Sequence, residues 1–268
     1  MDSIHTKNSG SLLRTAMVLV CIFFLAVCTV GCDDEDSSAS KLEEAKIALD
    51  EGDYERAEDL LEGMTGAEAL GVLASAYAGQ VGIDTFEILG QLDDGDTSGN
   101  DGSIDLIGKI LGTSGDGRLS CLGVQTKSSL MDLAKTKLIA SAGGSVSALD
   151  KDGHVQLGIY GFTDFILVTG EIICYKFGGG DAQFEVTLTE AGIKALADDF
   201  EAIDVTEDQL KRINEDIDYV MLGLSALGTA NDLAEEFTMF LQDINSDNDE
   251  AMYINKDEYI SFLNGLRS

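Results

Sequence analysis

The 268-residue sequence predicts an all-α protein, in which helical hairpins near the N-terminus pack with a helical bundle around one buried central helix. The chain has no proline and 30 glycines, so glycine and clusters of Asp, Asn and Ser are left to end the helices. Apolar residues recur at helical spacing in several segments. The most apolar segment after the N-terminal region, residues 155–177, supplies the central helix.

The N-terminal segment has the pattern of a secretory signal. Residues 16–30 are all apolar or small and follow Lys7 and Arg14. This run is shorter than the about 20 residues that a membrane-spanning helix needs, and a basic start followed by such a run is typical of a signal peptide. Residues 29–32 (TVGC) then resemble a bacterial lipobox. The resemblance implies that Cys32 is diacylated and becomes the new N-terminus; the alternative is an uncleaved signal anchor.

Residues 32–40 are expected to form a tether. After Cys32 the sequence reads DDEDSSAS, which has no apolar residue larger than alanine and predicts a solvated spacer. More than one acyl chain would hold the protein firmly to a bilayer. The expected location is therefore a lipid-anchored protein of the cell membrane, facing the periplasm or the surface. The choice between inner and outer membrane stays open.

The amino-acid composition limits the kinds of molecule that the protein is expected to bind. Without residues 1–31, 237 residues remain, enough for one or two domains, with 15 basic and 48 acidic residues and a formal charge of −33. Such a charge argues against nucleic acid, whose binding requires lysine and arginine, and against direct attraction to anionic lipid. If Cys32 is acylated, Cys121 and Cys174 remain, either as a disulfide, which an oxidising periplasm would permit, or as two buried thiols.

Residues 41–63 predict a helix, a tight turn at Gly52-Asp53 and a second helix. Gly52-Asp53-Tyr54 followed by Ala57, and then residues 73–82 (LASAYAGQVG), resemble a tetratricopeptide repeat. The resemblance covers about 50 residues and implies a groove for a peptide or protein near Tyr54 and Tyr77. A generic helical hairpin is the alternative.

Further helices are expected beyond the hairpins. Residues 104–111 and 127–141 show helical spacing, and Thr187 and Thr206 each open a capping box for helices at about 189–203 and 207–226. Residues 182–188 alternate like a strand, with no partner strand in view. In 155–177 the polar residues lie seven or eight apart on one stripe, and two acids among them favour a buried helix over a membrane span. The polar residues are Gln156, Thr163, Asp164 and Glu171.

The C-terminal residues 235–263 contain an amphipathic helix, an acidic loop and a second amphipathic helix, which together resemble an EF-hand. Calcium takes six to eight oxygen ligands, and such loops place them at alternate positions. The loop is longer than the standard one, so the resemblance is to an expanded loop, and a plain acidic loop between packed helices is the alternative. Ile254 takes the hydrophobic position, and the candidate ligands are Asp243, Asn245, Asp247, Asn248, Asp249 and Glu258.

The sequence patterns for other cation sites and for catalysis are weaker. Two further acidic loops could gather around a cation, one in residues 93–103 with Asp93, Asp94, Asp96 and Asp101, the other in residues 148–155 with Asp150, Asp152 and a Gly153 turn. His154 is the only histidine after the signal, and no nucleophile elbow, zinc spacing or phosphate loop accompanies it. We therefore expect no enzyme.

These patterns divide the chain into five parts. The expected boundaries are 1–31 signal peptide, 32–40 tether, 41–92 tetratricopeptide-like hairpins, 93–125 acidic Gly-rich loops with a short helix, and 126–268 helical bundle with the EF-hand-like end. The expected function is a non-catalytic scaffold or adaptor that binds another envelope protein. The alternatives are a calcium-responsive binding protein and a structural envelope protein without a specific ligand.

Overall fold

The computed structural model describes residues 38–83, 110–111, 118–178, 185–187, 200–228, 244 and 253–265. Helices account for most of this part of the chain, so the all-α prediction is confirmed. The α-helices are α1 Ser38–Asp50, α2 Tyr54–Leu61, α3 Ala67–Val81, α4 Cys121–Ser141, α5 Lys151–Gly178, α6 Glu207–Leu227 and α7 Lys256–Gly265, and a short 3-10 helix covers Val146–Ala148.

The first three helices form the predicted N-terminal hairpins. The chain turns between α1 and α2 at Gly52, which has a φ of +76° that glycine adopts without strain. Asp53 caps α2 by accepting a hydrogen bond from the amide of Arg56. Residues 38–40 already belong to α1, so the predicted spacer ends three residues too late, because Ser-Ala-Ser is as compatible with a first helical turn as with a tether. α3 in turn packs on α4.

α5 is the central helix and packs between α4 and α6. By length and composition its residues 151–177 could cross a membrane, and among the described residues it alone could do so; 78% of its apolar window is buried inside the protein. Its buried side chains include Leu157, Tyr160, Leu167 and Ile172. The helix therefore forms the middle of the hydrophobic core, as the stripe of polar residues predicts.

Glycines let α5 and α6 cross at very short distance. A Cβ added to Gly158 on α5 would lie 2.9 Å from the Cα of Gly223 on α6. One added to Gly161 would lie 2.8 Å from the carbonyl oxygen of Asp216. Because neither position has room for a side chain, the two backbones touch. This crossing places the polar residues of α6 directly beside those of α5.

The strand predicted in residues 182–188 has a partner after all. β2 (Glu185–Thr187) pairs antiparallel with β1 (Arg118–Ser120), with Leu119 opposite Val186. β1 cannot be predicted from the sequence, because three residues are too few to show an alternating pattern. β1 leads directly into α4, whose first turn is capped by Ser120 through the amide of Gly123 at 3.2 Å.

α4 therefore begins at Cys121, six residues before the predicted start at 127, and the boundary drawn between residues 125 and 126 falls inside it. Cys121 and Cys174 form a disulfide with Cα atoms 5.5 Å apart. The bond joins the start of α4 to the last part of α5. Both cysteines are buried, at 2% and 5% exposure, so the bond lies inside the core.

The capping box at Thr206 is present. The amide of Gln209 donates to Thr206 Oγ1 at 3.2 Å, and the amide of Thr206 donates to Gln209 Oε1 at 3.0 Å.

The helix expected at 189–203 does not include residues 200–203, which form a turn. Asn264 of α7 holds this turn, since its side chain binds both the amide and the carbonyl of Phe200. The preceding residues of that predicted helix lie outside the described residues.

Candidate functional site

The strongest chemical feature of the described residues is an ion cluster buried between α4, α5 and α6. We call the four residues Lys135, Asp164, Arg212 and Asp216 the ion cluster. Lys135 lies on α4, Asp164 on α5, and the other two on α6. The side chains of both aspartates are fully buried, and that of Lys135 is 6% exposed. Charged groups from all three helices thus meet in one cluster.

Asp164 accepts the most hydrogen bonds in the cluster. Its Oδ2 accepts from Arg212 Nε at 2.6 Å and its Oδ1 accepts from Arg212 Nη2, while Lys135 Nζ also donates to Oδ2. Arg212 Nη2 reaches across to the backbone carbonyl of Ser128 on α4 as well, at 2.9 Å. The two-pronged arginine–carboxylate contact is the strongest form of such a pair. It connects all three helices through one carboxylate.

Lys135 also donates a hydrogen bond to the second aspartate of the cluster, Asp216. Its Nζ donates to Asp216 Oδ1 at 2.5 Å and lies 5.8 Å from the centre of the Tyr219 ring. Burial lowers the pKa of Lys135, but the charges of Asp216 and Asp164 outweigh this effect and raise it above its ordinary value. Lys135 is therefore a charged ammonium in the core. Removing one member of such a buried set costs about 3–5 kcal/mol, because the remaining charge is left uncompensated.

Two acids, Asp216 in the cluster and Glu171 beside it, bind protons more tightly than usual. Burial, together with the nearby Asp164, raises the pKa of Asp216 well above its ordinary value, against the opposing effect of Lys135. Burial likewise raises the pKa of Glu171, which lies one to two turns further along α5, and Arg212 opposes it. The cluster can hold protons and can fix three helices to one another. Because Lys135 and both aspartates are buried and the Arg212 side chain is 23% exposed, the cluster presents neither carboxylate nor the ammonium group to an external substrate.

The sequence predicts two acids of this region. Asp164 of the cluster and the neighbouring Glu171 are among the polar residues on one stripe of the predicted buried helix. Nothing marked Lys135, Arg212 or Asp216, because in a chain with 49 acids the spacing of one more charge carries little information. A usable signal was present in α4, where Lys135 falls on the same face as Met131 and Leu138, which are buried.

The tyrosines assigned to protein binding lie within the hairpins. Tyr77 on α3 is 8% exposed, and Tyr54 is partly exposed at the start of α2. A Cβ on Gly79 would collide with the Tyr54 ring, so the ring packs directly against the backbone of α3. Burial and the neighbouring Glu58 raise the pKa of Tyr77. Both rings fill space between the helices of the N-terminal hairpins. The residues next to Tyr54 in sequence are exposed and form the outer surface of these hairpins.

The candidate calcium ligands fall mostly outside the described residues. This holds for Asp243, Asn245, Asp247, Asn248 and Asp249, whereas Glu258 is described and is 5% exposed. Its Oε2 accepts from the amide of Asn255 at 2.9 Å, and Asn255 Oδ1 accepts from the amide of Glu258 at 3.1 Å. This reciprocal pair is a capping box that opens α7. Calcium ligation by Glu258 would thus compete with a helix cap.

The loop expected at 148–155 is a helix start rather than a cation loop. α5 begins at Lys151 and includes Asp152, Gly153 and His154. Asp150 accepts from the amide of Gly153 at 2.8 Å, so it caps the helix. The acid, glycine and polar residues of a turn are also those of a helix N-terminus, which explains the error. Among the described residues, no three histidine, cysteine or acidic side chains are placed to hold a metal.

Cys32 and the loop of residues 93–103 lie outside the described residues. No family model matches the chain, and no curated protein or solved structure matches it. The fold and the site therefore define its class by themselves: an all-α protein whose central helix is fixed to two neighbours by buried charges.

Proposed function

We propose that the chain is a bacterial envelope lipoprotein, moored to the membrane through acylated Cys32, whose helical body binds another envelope protein and catalyses no reaction. The observation that carries this proposal is the TVGC sequence of residues 29–32 directly after the apolar run 16–30. A thiol at the end of such a run is where a lipidated cysteine would stand. The proposed location is the cell membrane, with the body on the periplasmic or outer side.

The Cys121–Cys174 disulfide supports export. Disulfides persist in oxidising compartments such as the periplasm and are rare where glutathione and thioredoxin keep thiols reduced. The bond in this protein is buried, which is typical of a structural rather than a catalytic disulfide. This is the arrangement that a folded domain outside the cytoplasm would use.

The start of α1 limits how far the body can stand from a membrane. α1 begins at Ser38, and a fully extended chain from Cys32 to Ser38 spans at most about 20 Å. A partner would therefore be bound close to the bilayer. The strong negative charge of the chain keeps the body from lying flat on anionic lipid.

Metabolic labelling with a fatty acid tests the anchor. In the full-length chain, Cys32→Ser should abolish labelling and release the protein from the membrane fraction. Cys28→Ser, a matched change four residues earlier in the apolar run, should leave both unchanged. Labelling that survives Cys32→Ser would contradict the proposal. So would an unlabelled native protein that retains residues 1–31.

Site-specific crosslinking in intact cells tests the scaffold role. A photo-reactive residue at Glu55, which is exposed beside Tyr54, should give a discrete crosslinked product. The same residue at Asp218, which is exposed on α6, serves as the control and should not. Equal products at the two positions, or none at Glu55, would count against binding at the hairpins.

Calcium binding is the second candidate function, and the placement of Ile254 favours it. Ile254 takes the hydrophobic position of the EF-hand-like loop, and in the structure its side chain is fully buried just before α7. Glu258→Gln separates the two functions, because glutamine keeps the capping box but is a poor calcium ligand. A chelator-reversible rise in melting temperature that is present in the native chain and absent in Glu258→Gln would establish the calcium site. Equal responses would remove it.

A further inference from the structure

One oxygen of the ion cluster has no hydrogen-bond partner within the described residues. Asp216 Oδ1 accepts from Lys135, but Oδ2 is buried and unpartnered. Asp164, by contrast, accepts from both Arg212 and Lys135. An ionised carboxylate with one oxygen buried and unsatisfied is costly, whereas a carboxylic acid carries no charge that needs solvation. The hydrogen bonds therefore favour an ionised Asp164 and a protonated Asp216.

The charges around Asp216 also favour one added proton in this region. Lys135 faces it from α4, and Asp164 and Glu171 face the cluster from α5. On α6 itself, Arg212 donates its hydrogen bonds to Asp164. Tyr219 and Glu215 lie on the outer side of the helix. Asp132 of α4 also faces Tyr219 there. Two cations thus meet three buried or half-buried acids. One added proton would balance the charges.

We propose that Asp216 is a proton-binding site of the folded protein: near neutral pH it is a carboxylic acid, and losing that proton at higher pH weakens the attachment of α6 to α4 and α5. The attachment depends on this residue because α6 meets α5 with its backbone at Gly161, directly at the carbonyl oxygen of Asp216. A new negative charge at this crossing has no room to move toward solvent. The inference is independent of the proposed anchor and partner.

The direction of the pH effect follows from the raised pKa of Asp216. A group whose pKa is higher in the folded than in the unfolded state stabilises the fold fully below its unfolded pKa. This contribution is lost as the pH rises through the folded value. Alkaline conditions should therefore destabilise the native protein relative to a variant that cannot lose the proton.

Asp216→Asn provides that variant, since asparagine has the shape of the protonated acid. Asp218→Asn removes an exposed acid two residues further along α6 and is the matched control. In thermal unfolding between pH 5 and 9, the melting temperature of Asp216→Asn minus that of the native chain should rise by about 3 °C per pH unit and level off above the folded pKa. For Asp218→Asn the difference should stay flat.

Carbon-13 NMR of the native chain, with the Asp216 resonance assigned by its absence from Asp216→Asn or by backbone connectivity, gives a direct readout. The side-chain carboxyl of Asp216 should show the chemical shift of a protonated acid at pH 6 and move to that of a carboxylate at higher pH. A carboxylate shift at pH 5 and above would overturn the proposal. So would a melting-temperature difference that does not change with pH, even if Asp216→Asn folds normally.

Discussion

Asn214 on α6 binds both backbone groups of Ile254, as a neighbouring β-strand would. Its Nδ2 donates to the Ile254 carbonyl at 3.0 Å, and its Oδ1 accepts from the Ile254 amide at 2.9 Å. Asn214 is 6% exposed, and Ile254 is fully buried. The segment before α7 is thus held to the bundle by one amide side chain, which satisfies two backbone groups that are buried away from water.

Asn214→Ala should lower the free energy of unfolding by about 2–4 kcal/mol, because it leaves a donor and an acceptor buried without partners. Urea denaturation monitored by circular dichroism measures the change. Asn264→Ala is the comparison, since Asn264 makes the same two-way contact with Phe200 on a partly buried segment. It should cost less. An Asn214→Ala variant as stable as the native chain would show that the segment does not depend on this contact.

Asp164→Asn should be among the most destabilising single changes in the chain, at about 3–5 kcal/mol. Buried Lys135 and half-buried Arg212 would then both lie next to a neutral amide. Chemical denaturation near pH 6 tests this, with Asp216→Asn as the internal comparison on the same lysine. The cost of Asp216→Asn should be clearly smaller, since its protonated form is already neutral. Equal costs would contradict the unequal roles of the two aspartates.

Gly158→Ala and Gly223→Ala should each destabilise the protein by about 2 kcal/mol or more, because the added methyl group meets backbone atoms that cannot yield. Gly71→Ala in α3 is the control. Nothing lies within 4 Å of its added Cβ, so this change should stabilise the helix by up to about 1 kcal/mol. Melting temperatures of the three variants give the signs. A stable Gly158→Ala would mean that α5 and α6 can separate freely.

Replacing both Cys121 and Cys174 by serine should cost about 4 kcal/mol, because the disulfide closes a long loop in the unfolded chain. Calorimetry with and without reductant tests this. Reductant should lower the melting temperature of the native protein and leave that of the double variant unchanged. An effect of reductant on both would point to a cause other than this bond.

The fold was predictable where the pattern is local. Three features can be recognised from a short stretch of sequence, and the structure contains all of them: the Gly52-Asp53 turn, the Thr206 capping box and the polar stripe of α5. The pairing of β1 with β2 and the ion cluster depend on residues far apart in sequence. Lys135 and Asp216 are 81 positions apart, and their helices meet because both α4 and α6 pack on α5. Periodicity can mark Lys135 as a position on the buried face of α4, but it does not identify Asp216 as its partner.

The disulfide also sets how the protein responds to mechanical force. Cys121 and Cys174 are 53 positions apart, so the chain between them is a closed loop. Under the proposed anchoring at Cys32, a partner that binds elsewhere on the protein would pull the chain along its backbone. Under such tension the covalent bond transmits the load directly from the start of α4 to the last part of α5. The loop, which includes Lys135 and Asp164, cannot be drawn out, so roughly 180 Å of chain would stay folded away from the force.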